Sequence, residues 1–152
     1  MSTQLLALIA LFGALAFGLV AIIIRKTRRP ERTVRDELNE LRAEGYIVMH
    51  DVSLADAESL DHVVIGKDAV YLVETTYDSN ELELVKSRAQ LLHEALGSPV
   101  TPIVCAGTGA ETFEHEQVVV AGRSAVAATI RARPGRDTVD LERVSRLAAG
   151  RA

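Results

Sequence analysis

Cysteine is nearly absent from this chain of 152 residues, which contains Cys105 alone. A disulfide within the chain is therefore excluded, in agreement with a reducing compartment. Cys105 lies in the apolar run 100–106, which predicts a buried strand residue rather than a reactive thiol. The cysteine and histidines show no zinc-site spacing, and no glycine-rich loop suited to a phosphate is present.

Charge is absent from residues 5–24, and the basic cluster Arg25–Arg29 follows at once. Twenty uncharged residues form a helix of about 30 Å, the thickness of the hydrocarbon core of a bilayer. The alternative, a cleaved signal peptide, is disfavoured because the run exceeds the usual apolar region of ~7–15 residues and lacks a cleavage-like motif. We therefore expect residues 1–30 to form a single-pass anchor in the cell membrane with its N-terminus outside, and residues 31–152 to be cytoplasmic.

Positive charge is scarce beyond this anchor. Four of the 17 basic residues lie in the cluster, so 13 basic and 21 acidic side chains follow it, a net charge of −8. The basic cluster suits anionic lipid headgroups, which makes the lipid bilayer an expected partner. The acidic remainder disfavours nucleic acid as a non-specific partner, because such binding depends on clustered lysine and arginine.

Hydrophobic periodicity and turn residues predict an α/β fold beyond residue 30. The expected order is α-β-β-β-α-β-β-α-α, with a sheet of about five strands and helices packed against it. Residues between the strands at 100–106 and 117–121 are interpreted as a polar loop. The predicted helices span residues 31–44, 81–96, 124–132 and 138–149, and the other predicted strands span 46–52, 61–66 and 69–75.

Two acidic residues are expected to be neighbours in the central hairpin. A turn at Lys67-Asp68 pairs Val64 with Tyr71, and the same register places Asp61 opposite Glu74. Directly opposite residues point to the same side of a sheet, so the two carboxylates should repel each other unless a cation, a shared proton or solvent compensates. Either Asp61 and Glu74 bind a divalent metal ion, which favours oxygen ligands, or this end of the hairpin is simply hydrated.

The sequence around this hairpin resembles the nuclease-related domain family, called NERD, which is counted with the PD-(D/E)xK nucleases. The resemblance rests on residues 45–52, 60–66 and 69–77, and covers roughly residues 30–121. Its strongest part runs from the Asp-His-Val-Val motif at Asp61 to the Glu-Thr-Thr-Tyr segment that begins at Glu74. The resemblance implies a restriction-endonuclease-like domain with a central mixed sheet flanked by helices.

The resemblance also implies a set of site residues. Glu31 would be the acid of the first helix, Asp61 and Glu74 the metal-binding carboxylates, and Gln90 the glutamine of the later helix. A Mg²⁺ or Mn²⁺ ion would be the expected cofactor.

The chain departs from the family pattern at Thr76, where the family has the lysine of its Glu-x-Lys motif. That lysine would orient the attacking water and stabilise charge at phosphorus, whereas threonine carries no charge. Losing one such preorganised charge typically costs several kcal/mol of transition-state stabilisation. Lys86 is one helical turn from Gln90, and a relocated lysine there is a conceivable replacement, although a solvated Lys86 is the simpler interpretation. We therefore expect two carboxylates with no ammonium group beside them.

Three functions remain open from the sequence. The first is a membrane-anchored, degenerate nuclease domain that acts as a binding or scaffolding module and is not an enzyme. The second is an active metal-dependent nuclease that uses Glu31, Asp61, Glu74 and Gln90, with Lys86 as the relocated lysine. The third is an accessory subunit of a membrane protein complex, with another membrane protein as its partner.

Overall fold

The structure is a computed structural model that describes residues 33–54, 59–75, 82–107, 111–135 and 138–149. Residues 32–152 form one compact unit. Within the described ranges, no helix has the length and apolar character needed to cross a bilayer. The predicted anchor at residues 5–24 lies outside the described residues.

In the described part of the chain, six strands form one mixed sheet in the spatial order β1-β2-β3-β4-β6-β5. Strands β1, β2 and β3 are mutually antiparallel, β3, β4 and β6 run parallel, and β5 is antiparallel to β6. The strands are β1 Ile47–Ser53, β2 Ser59–Ile65, β3 Val70–Glu74, β4 Val100–Cys105, β5 Thr112–His115 and β6 Val118–Ala121.

Helices cover both faces of this sheet. They are α1 Val34–Glu40, α2 Leu82–Leu96, α3 Val126–Arg131 and α4 Leu141–Ala148, and short 3₁₀ turns extend α1 and precede α3. One core lies under α2 and α4 and includes Val63, Leu72 and Leu92. The other lies under α1 and α3 and includes Leu38, Val64 and Tyr71. Consecutive residues of β2 and β3 thus enter opposite cores, as the two-residue period of a strand requires.

The first helix begins later than the sequence pattern suggests, at Val34. Thr33 is its N-cap: the Thr33 side chain accepts a hydrogen bond from the Asp36 backbone N–H at 3.2 Å, and the Asp36 carboxylate accepts one from the Thr33 N–H at 3.2 Å. This reciprocal pair satisfies two N–H groups at the helix start. Gly45, with φ at 91°, ends the segment in the left-handed conformation as predicted.

The number of strands in the prediction was too low by one. Residues Thr112–His115, assigned to a polar loop, form the edge strand β5, and all four are exposed. The expected signal, an apolar residue at every second position, is weak there because Phe113 alone is a large hydrophobic residue. The mixed α/β architecture and the other strands are confirmed, with boundaries shifted by one or two residues.

Candidate functional site: a carboxylate pair at the end of the central hairpin

The predicted register of the central hairpin is confirmed. Val63 lies opposite Leu72 and Val64 opposite Tyr71, and the pairing continues to His62 and Val73. Asp61 and Glu74 are the next positions in this register, at the end of β3 where the chain leaves the sheet. The register therefore puts the two acidic residues on neighbouring strands at one end of the sheet, on the side that faces α2.

Thr75 holds the carboxylate of Asp61. Asp61 Oδ2 accepts a hydrogen bond from the Thr75 backbone N–H at 2.9 Å and another from Thr75 Oγ1 at 2.5 Å. Partial burial opposes ionisation of Asp61, but these two hydrogen bonds, with the charges of His62 and Arg88, hold its pKa below the ordinary value. Asp61 is therefore an ionised carboxylate fixed against the strand that carries Glu74.

Arg88 forms an ion pair with Glu74. Arg88 Nη1 lies 3.2 Å from Glu74 Oε2, and the side chain of Glu74 is only 5% exposed. The positive charge of Arg88 also lowers the pKa of Asp61, so one guanidinium acts on both carboxylates. From the sequence, no ammonium group was expected beside the pair and an arginine there was not foreseen; the Arg88 guanidinium supplies the positive charge.

The amphipathic pattern of α2 explains why Arg88 reaches this position. Val85, Ala89, Leu92 and Leu96 form its buried face and contact the sheet. Arg88 follows Val85 by three residues, so it lies on the edge of this buried face. Strands β3 and β4 are parallel, and α2 connects them across one face, which brings the helix over Glu74.

Lys86 and Gln90 lie elsewhere on α2. The ammonium group of Lys86 forms ion pairs with Glu83 at 2.7 Å and with Glu116 at 3.0 Å. Gln90 Nε2 donates to Glu94 at 3.0 Å. Both residues line a groove of about 660 Å³ that also includes Pro99, Val100 and Gln117 near the start of β4. The structure does not bring them to the carboxylate pair, and Lys86 is paired with other acids.

Two positions of the family pattern lie outside the residues that the structure describes. Glu31, the implied first-helix acid, lies outside the described residues, as does Thr76, which stands where the family has lysine. The described part of the site therefore consists of Asp61, Glu74, Thr75 and Arg88. Neither Thr75 nor Arg88 was assigned to the site from the sequence, although an arginine bordering an apolar helical stripe was a usable signal for Arg88.

The prediction that Cys105 is buried in a strand is confirmed, and His62 does not join the carboxylate pair. His62 points away from Asp61, toward α1, where its Nδ1 lies 2.9 Å from His50 Nδ1. His50 Nε2 in turn lies 3.1 Å from Asn39 Oδ1 of α1. Cys105 is buried at the end of β4, and burial raises the pKa of its thiol to about 12. Cys105 is therefore a core residue and not a nucleophile.

The described donor set does not fit a divalent metal ion well. Across the described ranges, no three His, Cys, Asp or Glu side chains are grouped so that they could hold an ion. The acidic pair is bonded instead to Thr75 and Arg88, and a guanidinium beside the carboxylates repels a metal cation. Mg²⁺ needs only one or two protein carboxylates beside its waters, but here Thr75 engages Asp61 and Arg88 engages Glu74, so neither carboxylate is available in this arrangement.

Comparison with protein families gives a match to the nuclease-related domain, NERD, over residues 26–107. This segment contains α1, α2 and strands β1 to β4, and with them both carboxylates and Arg88. Comparison with curated proteins and with solved structures gives no match. Because the family model covers more than half of the chain and includes the hairpin and helix that build the site, this chain belongs to the nuclease-related domain family.

Proposed function

We propose that this chain is a membrane-anchored, restriction-endonuclease-like NERD domain that does not cleave nucleic acid and acts as a binding or scaffolding module. The observation that carries the proposal is the ion pair between Arg88 and the buried Glu74. A carboxylate held in this way is a poor ligand for the metal ion that would activate water.

The lysine positions and the net charge of the domain support the loss of cleavage. Thr76 replaces the lysine of the family motif, and Lys86 is held by Glu83 and Glu116 instead of replacing it. The net charge of −8 beyond the basic cluster also gives the domain little attraction for a polyanion. The proposed partner is therefore another protein of the same membrane, and the uncharged run at residues 5–24 supports the anchor.

A cleavage assay on the full-length chain tests this function. The protein is extracted from the membrane fraction, which we expect to require detergent, and is incubated with plasmid DNA, single-stranded DNA or RNA in Mg²⁺ or Mn²⁺. The expected result is no cleavage above that of a Glu74→Ala control prepared in parallel, which corrects for contaminating nucleases. Metal-dependent cleavage by the wild-type protein that is lost in Glu74→Ala would overturn the proposal in favour of an active nuclease.

A further inference from the structure

The carboxylate pair is placed where its negative charge needs a partner. Glu74 Oε1 is buried, and the Glu74 side chain as a whole is 5% exposed. Asp61 lies beside it in the next strand, and its Oδ2 accepts hydrogen bonds from the Thr75 backbone N–H at 2.9 Å and from Thr75 Oγ1 at 2.5 Å. Two carboxylates at one end of a hairpin are stable together when a cation lies beside them.

Arg88 has the properties of such a cation. Its guanidinium stays protonated in proteins and presents several N–H donors in one plane, which matches carboxylate oxygens. Arg88 contacts Glu74 directly at 3.2 Å and acts on Asp61 through its charge. Its side chain is 24% exposed, so the ion pair with the buried Glu74 is itself largely removed from solvent.

A divalent ion would have to compete with this group. It would need the oxygens of Asp61 and Glu74 as ligands and would then lie next to a fixed positive charge. Like charges so close together repel strongly in a partly buried site. The protein therefore contains a cation where a metal-dependent relative would hold a metal ion.

We propose that the Arg88 guanidinium is a built-in cation that replaces a divalent metal ion at Asp61 and Glu74, so that removing Arg88 opens the site to Mn²⁺. The inference deepens the proposed function, on which it rests, because it names the group that keeps the site metal-free. Arg88 then determines whether a metal ion can bind at the two carboxylates, and it takes no part in a cleavage step.

Titration with Mn²⁺ tests this assignment. Binding is measured as the decrease in the electron paramagnetic resonance signal of the free ion. The full-length wild-type protein and the Arg88→Met variant, which removes the charge and leaves a shorter, unbranched apolar side chain, are compared in the same detergent. We expect Arg88→Met to bind one Mn²⁺ at least tenfold more tightly than the wild type. This binding should be lost in the double variant Arg88→Met/Asp61→Asn.

Arg131→Met is the matched control, because Arg131 also forms an ion pair, with Glu44, at the protein surface. This variant should bind Mn²⁺ no better than the wild type. Circular dichroism establishes that each variant is folded, and Arg88→Gln provides a second neutral substitution. Folded Arg88 variants that bind Mn²⁺ no more tightly than the wild type would overturn the assignment.

A further test leaves Arg88 in place and compares the wild type with Asp61→Asn. If Arg88 replaces the metal, wild-type binding of Mn²⁺ should be unaffected by Asp61→Asn. Asp61-dependent Mn²⁺ binding without cleavage would overturn the role of Arg88 and leave the non-cleaving function intact. Metal-dependent cleavage would instead overturn the proposed function itself.

Discussion

At the scale of single residues, two histidines connect α1 to the sheet. Asn39 Oδ1 is an acceptor, so His50 carries a proton on Nε2, and His50 Nδ1 then accepts a hydrogen bond from His62 Nδ1 at 2.9 Å. His50 is neutral in this arrangement, because its Nδ1 accepts a hydrogen bond. Burial first, and then the charges of His62, Arg35 and Arg42, lower the pKa of His50 to about 4, although Asp51 opposes the shift.

The low pKa of His50 predicts that the domain loses stability in acid. The folded pKa lies below the unfolded value of about 6.5, so between these values the unfolded chain binds more protons. The contribution of His50 is complete above pH 6.5 and is lost as the pH falls toward 4. After allowance for solvent screening, we expect it to reduce the free energy of unfolding by about 1–2 kcal/mol.

Chemical denaturation between pH 7.5 and 4 measures this effect. The comparison is between the wild type and His50→Gln, in which the amide cannot titrate but keeps a donor and an acceptor. The wild type should lose more stability than His50→Gln over this range. Parallel pH profiles for the two proteins would contradict the role assigned to His50.

Prediction from sequence worked best for residues whose position is set by local geometry. The pairing of Val63 with Leu72 follows from a short turn and the two-residue period of a strand, and it is confirmed up to His62 and Val73, the pair next to Asp61 and Glu74. Arg88 could not be assigned in the same way. Its contact with Glu74 depends on how α2 packs across β3, which involves residues distant in sequence.

At the scale of elements, α2 presents two different polar edges. Arg88 borders the carboxylate pair, whereas Lys86 and Gln90 line the groove near the start of β4. The spacing of Lys86 and Gln90 correctly indicates a shared helical face, but spacing alone does not say what that face contacts. The edge strand β5 was missed for a related reason, because it is defined by pairing with β6 and not by burial.

The segment after α3 packs closely against the turn of the central hairpin, and Gly135 makes this contact possible. A Cβ atom at Gly135 would overlap the backbone carbonyl of Asp68 and lie 2.5 Å from the Ala69 Cβ. Gly135→Ala should therefore force a backbone shift and cost about 1–3 kcal/mol of stability. Thermal unfolding measures the change, with the exposed neighbour Pro134→Ala as the control. An unchanged melting temperature in Gly135→Ala would show that the contact is not needed.

At the scale of the whole molecule, the chain has an acidic domain that follows a basic cluster and a long uncharged run. Composition and periodicity were sufficient to predict the mixed α/β domain, since the strands alternate between two cores. They could not predict the chemistry of the site, because a carboxylate pair is equally compatible with a metal ion, with solvent or with an arginine until the packing of α2 is known. The structure places an arginine, Arg88, beside the carboxylate pair.

Anomalous diffraction from crystals of the wild-type protein grown in Mn²⁺ tests this central claim most directly. The predicted map shows the Arg88 guanidinium in hydrogen-bond contact with Glu74 and no manganese peak beside Asp61. A manganese peak between the two carboxylates, with Arg88 displaced from Glu74, would contradict it.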